Sequence, residues 1–387
     1  MSLSPFLYIH FPWCVRKCPY CDFNSHELKG ELPEERYIST LIKDFDNDCR
    51  RHELTHPIQG IFLGGGTPSL FSGRSIQRLL GYIRSRQGLA NQAEITMEVN
   101  PGAVEHDRFE HYLEAGINRL SFGAQSFSDT KLHQLGRIHS ADDIPTAIRA
   151  AKGVGFDNFN IDLMYGLPRQ KTEEAIADCE KAIDLGPAHL SLYQLTLEPN
   201  TLFHKFPPAL PDQEELADMQ SALIDLTTEN QFRRYEVSAY AKPAKESRHN
   251  LNYWNFGDYL GIGAGAHSKI TKATNERFTI ERGWKEKHPR RYTRIIEEGS
   301  NALNTRNVPM DDVLFEFCMN ALRLKQGFSL SQAELSTGYS SEDILAALRP
   351  AMKENRIIRK GDIIRCEEKG YLFLDDILVD MLPDPTP

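Results

Sequence analysis

The feature that most constrains the fold is an alternation of short apolar runs with amphipathic stretches, from residue 6 to about 230. Strand-like runs fall at Phe6–Phe11, Gly60–Leu63, Ile95–Val99, Arg119–Phe122, Asn160–Met164 and His189–Thr196. Helical patterns lie between and after them, near 34–50, 74–87, 105–115, 141–153, 173–184 and 212–230. Six strand–helix units in this order predict an α/β fold around a parallel sheet with right-handed crossovers. Two closures are available, a six-unit partial barrel or a doubly wound sheet. Glycine and polar punctuation comes after the strands: Gly64–Pro68 follows the second, Asn100–Gly102 the third, Gly123–Ser126 the fourth and Tyr165–Pro168 the fifth. Carboxyl ends of parallel strands carry the sites of such folds. The chemistry is therefore expected on one face.

Beyond this region the pattern changes. Ser238 to Ala266 is aromatic and polar and ends in the glycine-rich Gly261–Gly265, while 277–305 reads as charged and helical. From about 309, helices near 311–325, 330–337 and 341–354 precede two short strands within Arg356–Arg365, around a Lys-Gly-Asp turn. That is the outline of a small winged-helix-like α+β domain. Three units follow: 1–235, a connecting region 236–305, and 306–380. The outline invites DNA binding, but residues 305–387 hold 10 Lys/Arg against 14 Asp/Glu, a field that repels phosphate. The whole chain has 54 acidic and 45 basic residues, net −9, so no nucleic-acid partner is expected. No apolar run approaches the roughly 18 residues of a spanning helix. The first basic residue is Arg16, which leaves no charged signal-peptide segment before it. A cytoplasmic protein is expected; peripheral membrane contact and a homodimer are both compatible with this composition.

Seven cysteines, an odd number, argue against a disulfide framework. Cys14, Cys18 and Cys21 crowd into eight residues after the first strand, while Cys49, Cys179, Cys318 and Cys366 are scattered. The scattered four read as small buried hydrophobes. The trio can serve a [4Fe–4S] cluster with one iron left open. It can also form a zinc site closed by His10 or His26, or be coincidence. Likewise Gly64–Gly66 reads as a tight turn or a ligand cradle, and Arg137 and Asp162 as an internal ion pair or ligand-binding groups.

The Cys-x3-Cys-x2-Cys spacing after an opening strand resembles the radical S-adenosylmethionine (SAM) superfamily. Within it the chain is similar to the coproporphyrinogen oxidase-like branch, through Leu7–Pro12, Gly64–Pro68, Ile161–Pro168 and the carboxy-terminal domain. The resemblance implies a partial (β/α)6 barrel and a [4Fe–4S] cluster on Cys14, Cys18 and Cys21. It also implies SAM held by Tyr8, Gly65, Gly66, Thr67, Glu98, Gln125, Arg137 and Asp162. The oxygen-independent coproporphyrinogen III oxidases of this branch carry a further cysteine two residues after the third, where this chain has Phe23. They also have a longer amino-terminal extension. Instead, His249-Asn250-Leu251-Asn252-Tyr253-Trp254 resembles the HNxxYW motif of the HemW-type haem chaperones. That likeness implies haem bound with His249 as an iron ligand, and transfer of haem to an acceptor protein. Oxidative decarboxylation of a porphyrinogen is the alternative, and a zinc-stapled binding protein the outsider. His267 is a second candidate haem ligand, and Tyr20 a neighbour of the cluster loop.

Overall fold

The computed structural model describes residues 5–102, 109–273 and 278–382. Six strands run parallel in spatial order β1 to β6: Phe6–Phe11, Ile58–Gly65, Leu89–Val99, Arg119–Gln125, Phe159–Tyr165 and His189–Gln194. The principal helices between and after them are α1 (Glu34–Arg51), α2 (Gly73–Gln87), α3 (Phe109–Ala115), α4 (Asp143–Gly153), α5 (Thr172–Asp184) and α6 (Gln213–Glu229). This is the expected partial (β/α)6 barrel; the expected residues 105–108 of the third helix lie outside the described residues. Local sequence accounts for the first two helices. In α1, Tyr37, Ile38, Leu41 and Phe45 recur at helical spacing and are buried. Glu34 and Glu35 in its first turn, with Arg50 and Arg51 in its last, oppose the helix dipole. α2 starts at Ser72, whose side chain accepts from the Ser75 amide, and stops at Gly88.

The region 236–305 extends the sheet at both edges. β7 (Ala239–Ala241) pairs antiparallel with β6. α7 (Arg248–Trp254) follows, and β8 (Tyr259–Ile262) then lies parallel to β1 on its free side. β9 (His267–Ala273), β10 (Phe278–Lys285) and β11 (Leu303–Asn307) continue from β8 as antiparallel neighbours. The expectation of a helical 277–305 is corrected here: only α8 (Pro289–Glu297) is helical, between two strands. Outside α8, the charged residues that suggested a solvated helix include side chains of the paired strands β10 and β11, and one of them, Lys285, is fully buried.

One apolar core runs under the barrel and its helices, and a second fills the carboxy-terminal unit. The latter has helices Met310–Ala321, Leu330–Thr337 and Ser341–Lys353 and the hairpin Ile357–Lys360/Ile363–Cys366, close to expectation, with Phe328–Ser329 as a third strand. The two cores meet at α7. Trp254 lies under the Arg323 guanidinium, 4.3 Å from the ring centroid, and Phe256 packs edge-on against Phe317. None of the described helices is long and apolar enough to cross a membrane.

Candidate active site

β1 delivers the chain into the cysteine loop at the carboxyl end of the barrel. The loop is tied from several sides. Lys17 Nζ donates to the carbonyls of Phe23 (2.9 Å) and Ser25 (3.2 Å). Asn24 Nδ2 donates to the carbonyls of Ala264 and Lys287, each at 2.9 Å. Tyr37 Oη donates to the His10 carbonyl (2.8 Å) and accepts from the Ala264 amide (3.0 Å). The sheet extension thus fixes the loop from outside the barrel.

Cys14, Cys18 and Cys21 are free thiols, and all three line one cavity of about 530 Å³, the size of an ordinary cofactor or ligand pocket. Burial raises the Cys14 and Cys21 thiols, with hydrogen bonds from Thr67 and Ser25 respectively opposing it. A metal must therefore displace protons when it binds. Among the described residues no group of three or more His, Cys, Asp and Glu side chains is gathered closely enough for one metal ion. A cubane gives each of three thiolates its own iron, whereas a structural zinc gathers four ligands on one ion. His10, expected to close a zinc site, has its ring nitrogens engaged by Tyr8 Oη (3.1 Å) and the Asn24 carbonyl (2.9 Å).

The same cavity collects Gly65, Gly66, Thr67, Glu98, Gln125, Arg137 and Asp162. Gly65 has φ +107, and a Cβ there would lie 2.4 Å from the His10 ring; at Gly66 it would lie 2.5 Å from the Trp13 carbonyl oxygen. Both positions thus require glycine for the close approach of β1 and β2, before any ligand is considered. Glu98 accepts from the Gly65 amide at 3.0 Å. Burial, then the Asp162 charge, pushes its carboxyl up to about 8, so it is mostly protonated at neutral pH and can donate. Asp162 accepts from Ser121 Oγ (3.0 Å) and Asn160 Nδ2 (2.8 Å). Gln125 ends β4 at φ +69, after a register shift, a strained conformation for a side chain with a Cβ. Arg137 Nη2 donates to Asn100 Oδ1 and to the Gly123 carbonyl (2.7 Å). Burial opposes its charge, but Tyr20 and Cys18 beside it outweigh that. Of the two readings of Arg137 and Asp162, the internal ion pair does not form: Arg137 turns to Asn100 and Gly123, and Asp162 to Ser121 and Asn160. Tyr20 also lines the cavity. Tyr8 is set behind the wall, its ring beside the stacked pair of Phe62 and His249, 6.2 and 6.3 Å from them.

His249 is not a loop residue: it begins the second position of α7, which plugs the amino end of the barrel. It is 3% exposed, stacked on Phe62 at 4.7 Å and edge-on to Tyr253 at 4.5 Å. Neither ring nitrogen has a hydrogen-bond partner, and burial lowers its pKa to about 3. The imidazole is neutral with an unshared lone pair, as a metal ligand must be, yet only its neighbour Asn250 reaches the cavity. His267 is exposed on β9, away from the lining.

Sequence reasoning missed the deep half of the cavity, lined by Arg119, Ser121, Asn160, His189 and Ser191. The signal was present as polar residues at every second position, Arg119-x-Ser121, Asn160-x-Asp162 and His189-x-Ser191, in otherwise apolar strands.

A parallel partial barrel with three cysteines above its lumen defines the radical SAM class. The model of the radical SAM superfamily matches residues 8–182, and that of the HemN C-terminal domain matches 308–373. Proteins described as "Heme chaperone HemW" are 48% identical over 372 residues in Escherichia coli and 47% over 375 in Haemophilus influenzae, covering 96% of both chains in each case. A Bacillus subtilis protein of the same description is 32% identical over 92% of this chain and 93% of its own. Coproporphyrinogen III oxidase (HemN) from Escherichia coli, a solved structure, shares the fold with TM-score 0.81 at 22% identity, over 98% of this chain and 90% of that one. The chain belongs to the HemW family within the radical SAM superfamily, which implies a [4Fe–4S] cluster and SAM.

Proposed function

We propose that this protein is a cytoplasmic haem chaperone of the radical SAM type, which binds haem and passes it to an acceptor protein. One observation carries the reading. The HNxxYW segment forms the helix that closes the barrel whose other end bears Cys14, Cys18 and Cys21, and its histidine is neutral with both nitrogens unpartnered. The relatives described as haem chaperones support it across nearly the whole chain.

Cys14, Cys18 and Cys21 would hold the cluster, which supplies one-electron reduction of SAM when both are bound. Gly65 and Gly66 present backbone to the SAM amino end, and Thr67 orients Cys14. Glu98, Gln125 and Asp162 accept from or donate to hydroxyl and ammonium groups, while Arg137 pairs with the carboxylate. For haem, His249 supplies an imidazole nitrogen and Tyr253 and Trp254 an apolar wall. Because His249 is enclosed, haem must reach it by displacing α7 from the floor or from the carboxy-terminal unit. Phe23, 57% exposed at the cavity mouth, stands where the oxidases carry a further cysteine.

Haem titration of anaerobically reconstituted protein, beside an assay of coproporphyrinogen III decarboxylation, tests this. Stoichiometric haem binding without decarboxylation is expected. Decarboxylation in the presence of SAM and reductant would overturn it in favour of the oxidase.

A further inference from the structure

The closed end of the barrel contains a cation for which the cluster and SAM have no use. Arg119 opens β4 at its amino end, whereas the cysteine loop lies past the carboxyl end, so the two are separated by a strand of seven residues, on the order of 20 Å. Its side chain faces the cavity at 2% exposure, and its Nε has no hydrogen-bond partner. Among the described residues it forms no ion pair. A buried guanidinium left in this state costs stability and is retained where something else pairs with it.

None of the surrounding groups pairs with it directly. Asn160 Nδ2 donates to Ser121 Oγ (2.7 Å) and to Asp162 (2.8 Å), so Asn160 Oδ1 is the acceptor facing His189 Nδ1 at 2.7 Å. His189 Nδ1 therefore carries the proton, and its Nε2 accepts from Tyr235 Oη at 2.9 Å. Desolvation, then the Arg119 charge, holds His189 neutral. Asp162 is near enough to feel Arg119, but its oxygens are already engaged by Asn160, Ser191 and Ser121. The floor is thus a polar ring, with the Asp162 carboxyl at its margin, around a planar cation that no carboxylate pairs with directly, open to the lumen. Such a fork matches a carboxylate in two-point geometry.

We propose that Arg119 forms a carboxylate-binding subsite at the closed end of the barrel, and that it receives a propionate of haem. The occupant rests on the haem reading above. SAM also has a carboxylate, but Arg137, beside Cys18 at the opposite end, is the cation placed for it. Arg119 lies next to the helix that carries His249, whose ring feels its charge. Propionate and iron would thus be held from the same end of the barrel.

The test titrates the full-length protein with haem and with haem dimethyl ester, whose propionates are capped, following the Soret band. Separate arms measure binding of SAM and of decarboxylated SAM to the cluster-loaded protein. Wild type should favour haem over the diester by about tenfold. Arg119→Gln should remove that preference, Arg119→Lys should restore part of it, and SAM affinity should stay within about twofold of wild type. Arg119→Gln should also melt no lower than wild type, because the substitution removes an unpaired buried charge. Equal binding of haem and diester by wild type, or an undiminished preference in Arg119→Gln, overturns the subsite while leaving haem binding in place. Loss of SAM binding in Arg119→Gln assigns the carboxylate to SAM and overturns the occupant. A clear drop in melting temperature makes Arg119 structural and also overturns the proposal. Failure of wild type to bind either porphyrin overturns the haem reading itself, and the occupant with it.

Discussion

Among the individual residues, Glu98 shows how strongly the lumen departs from water. Its folded pKa, about 8 against an ordinary 4.5, means that the folded protein binds this proton more tightly than the unfolded chain. The stabilisation is complete below about pH 4.5 and is lost as pH rises through about 8. Glu98→Gln should therefore leave the unliganded protein's stability little changed near pH 5. Near pH 9 it should raise stability by on the order of a few kcal/mol, read by denaturant unfolding across that range. A parallel pH profile for wild type and variant would exclude the buried proton. The cysteines divide by environment in a similar way. Cys49, Cys179, Cys318 and Cys366 are buried hydrophobes whose thiols burial pushes up, while the loop trio opens on the cavity. Ala at Cys14, Cys18 or Cys21 should abolish the iron–sulfur absorption near ~400 nm, and Ala at Cys179 or Cys318 should retain it. A requirement for a scattered cysteine would refute the ligand set.

At the scale of elements, α7 combines a local signal with a non-local role. Ser247 caps it by accepting from the Asn250 amide at 3.3 Å, and Arg248 Nη1 reaches the Gln92 carbonyl at 2.8 Å. Ser247→Ala should cost about 1 kcal/mol of stability and loosen haem binding while leaving cluster content intact. His249→Ala should alter the Soret band much more at similar iron content, whereas Cys14→Ala should do the reverse. A wild-type Soret band in His249→Ala would remove it as the ligand. The six parallel strands and the carboxyl-end glycine loops were legible because apolar runs and turn residues are local signals. The polar lumen was not, because Arg119, Asn160 and His189 at alternate strand positions look like a solvated face until the sheet curls around them. Phe278–Lys285 was misread for a related reason: its charged residues are satisfied inside the fold, Arg282 by Glu316 and Lys285 by Asp44 and Asp48. The place of His249 under Phe62 depends on contacts nearly two hundred residues apart in the chain, which no local pattern records.

Across the whole molecule, one buried network joins the sheet extension to the helix beside the cluster strand. Lys285 Nζ meets Asp44 at 2.7 Å and Asp48 at 2.8 Å, all three side chains being nearly inaccessible. Tyr292 Oη donates to Asp44 at 2.7 Å and accepts from the Gly263 amide at 3.1 Å. Gly263 packs so closely on the His10 carbonyl that a Cβ would lie 2.4 Å from its oxygen. The network therefore fixes the edge of the sheet against β1 just before the cysteine loop. Burial pushes Asp48 up to about 7, although the Lys285 charge opposes it. Lys285→Met leaves two carboxylates with no cation between them, a loss of about 3–5 kcal/mol at neutral pH. Without the lysine, which opposes its protonation, the Asp48 carboxyl takes up a proton more readily in the folded state, so the penalty should shrink as pH falls towards ~5. Because the distortion falls on β1 and on the loop tied through Asn24, the variant should also retain less cluster after reconstitution, with recovery at the lower pH. Stability and iron content measured together across pH would test this, and a penalty that grew on acidification would refute the network as the source of that rigidity.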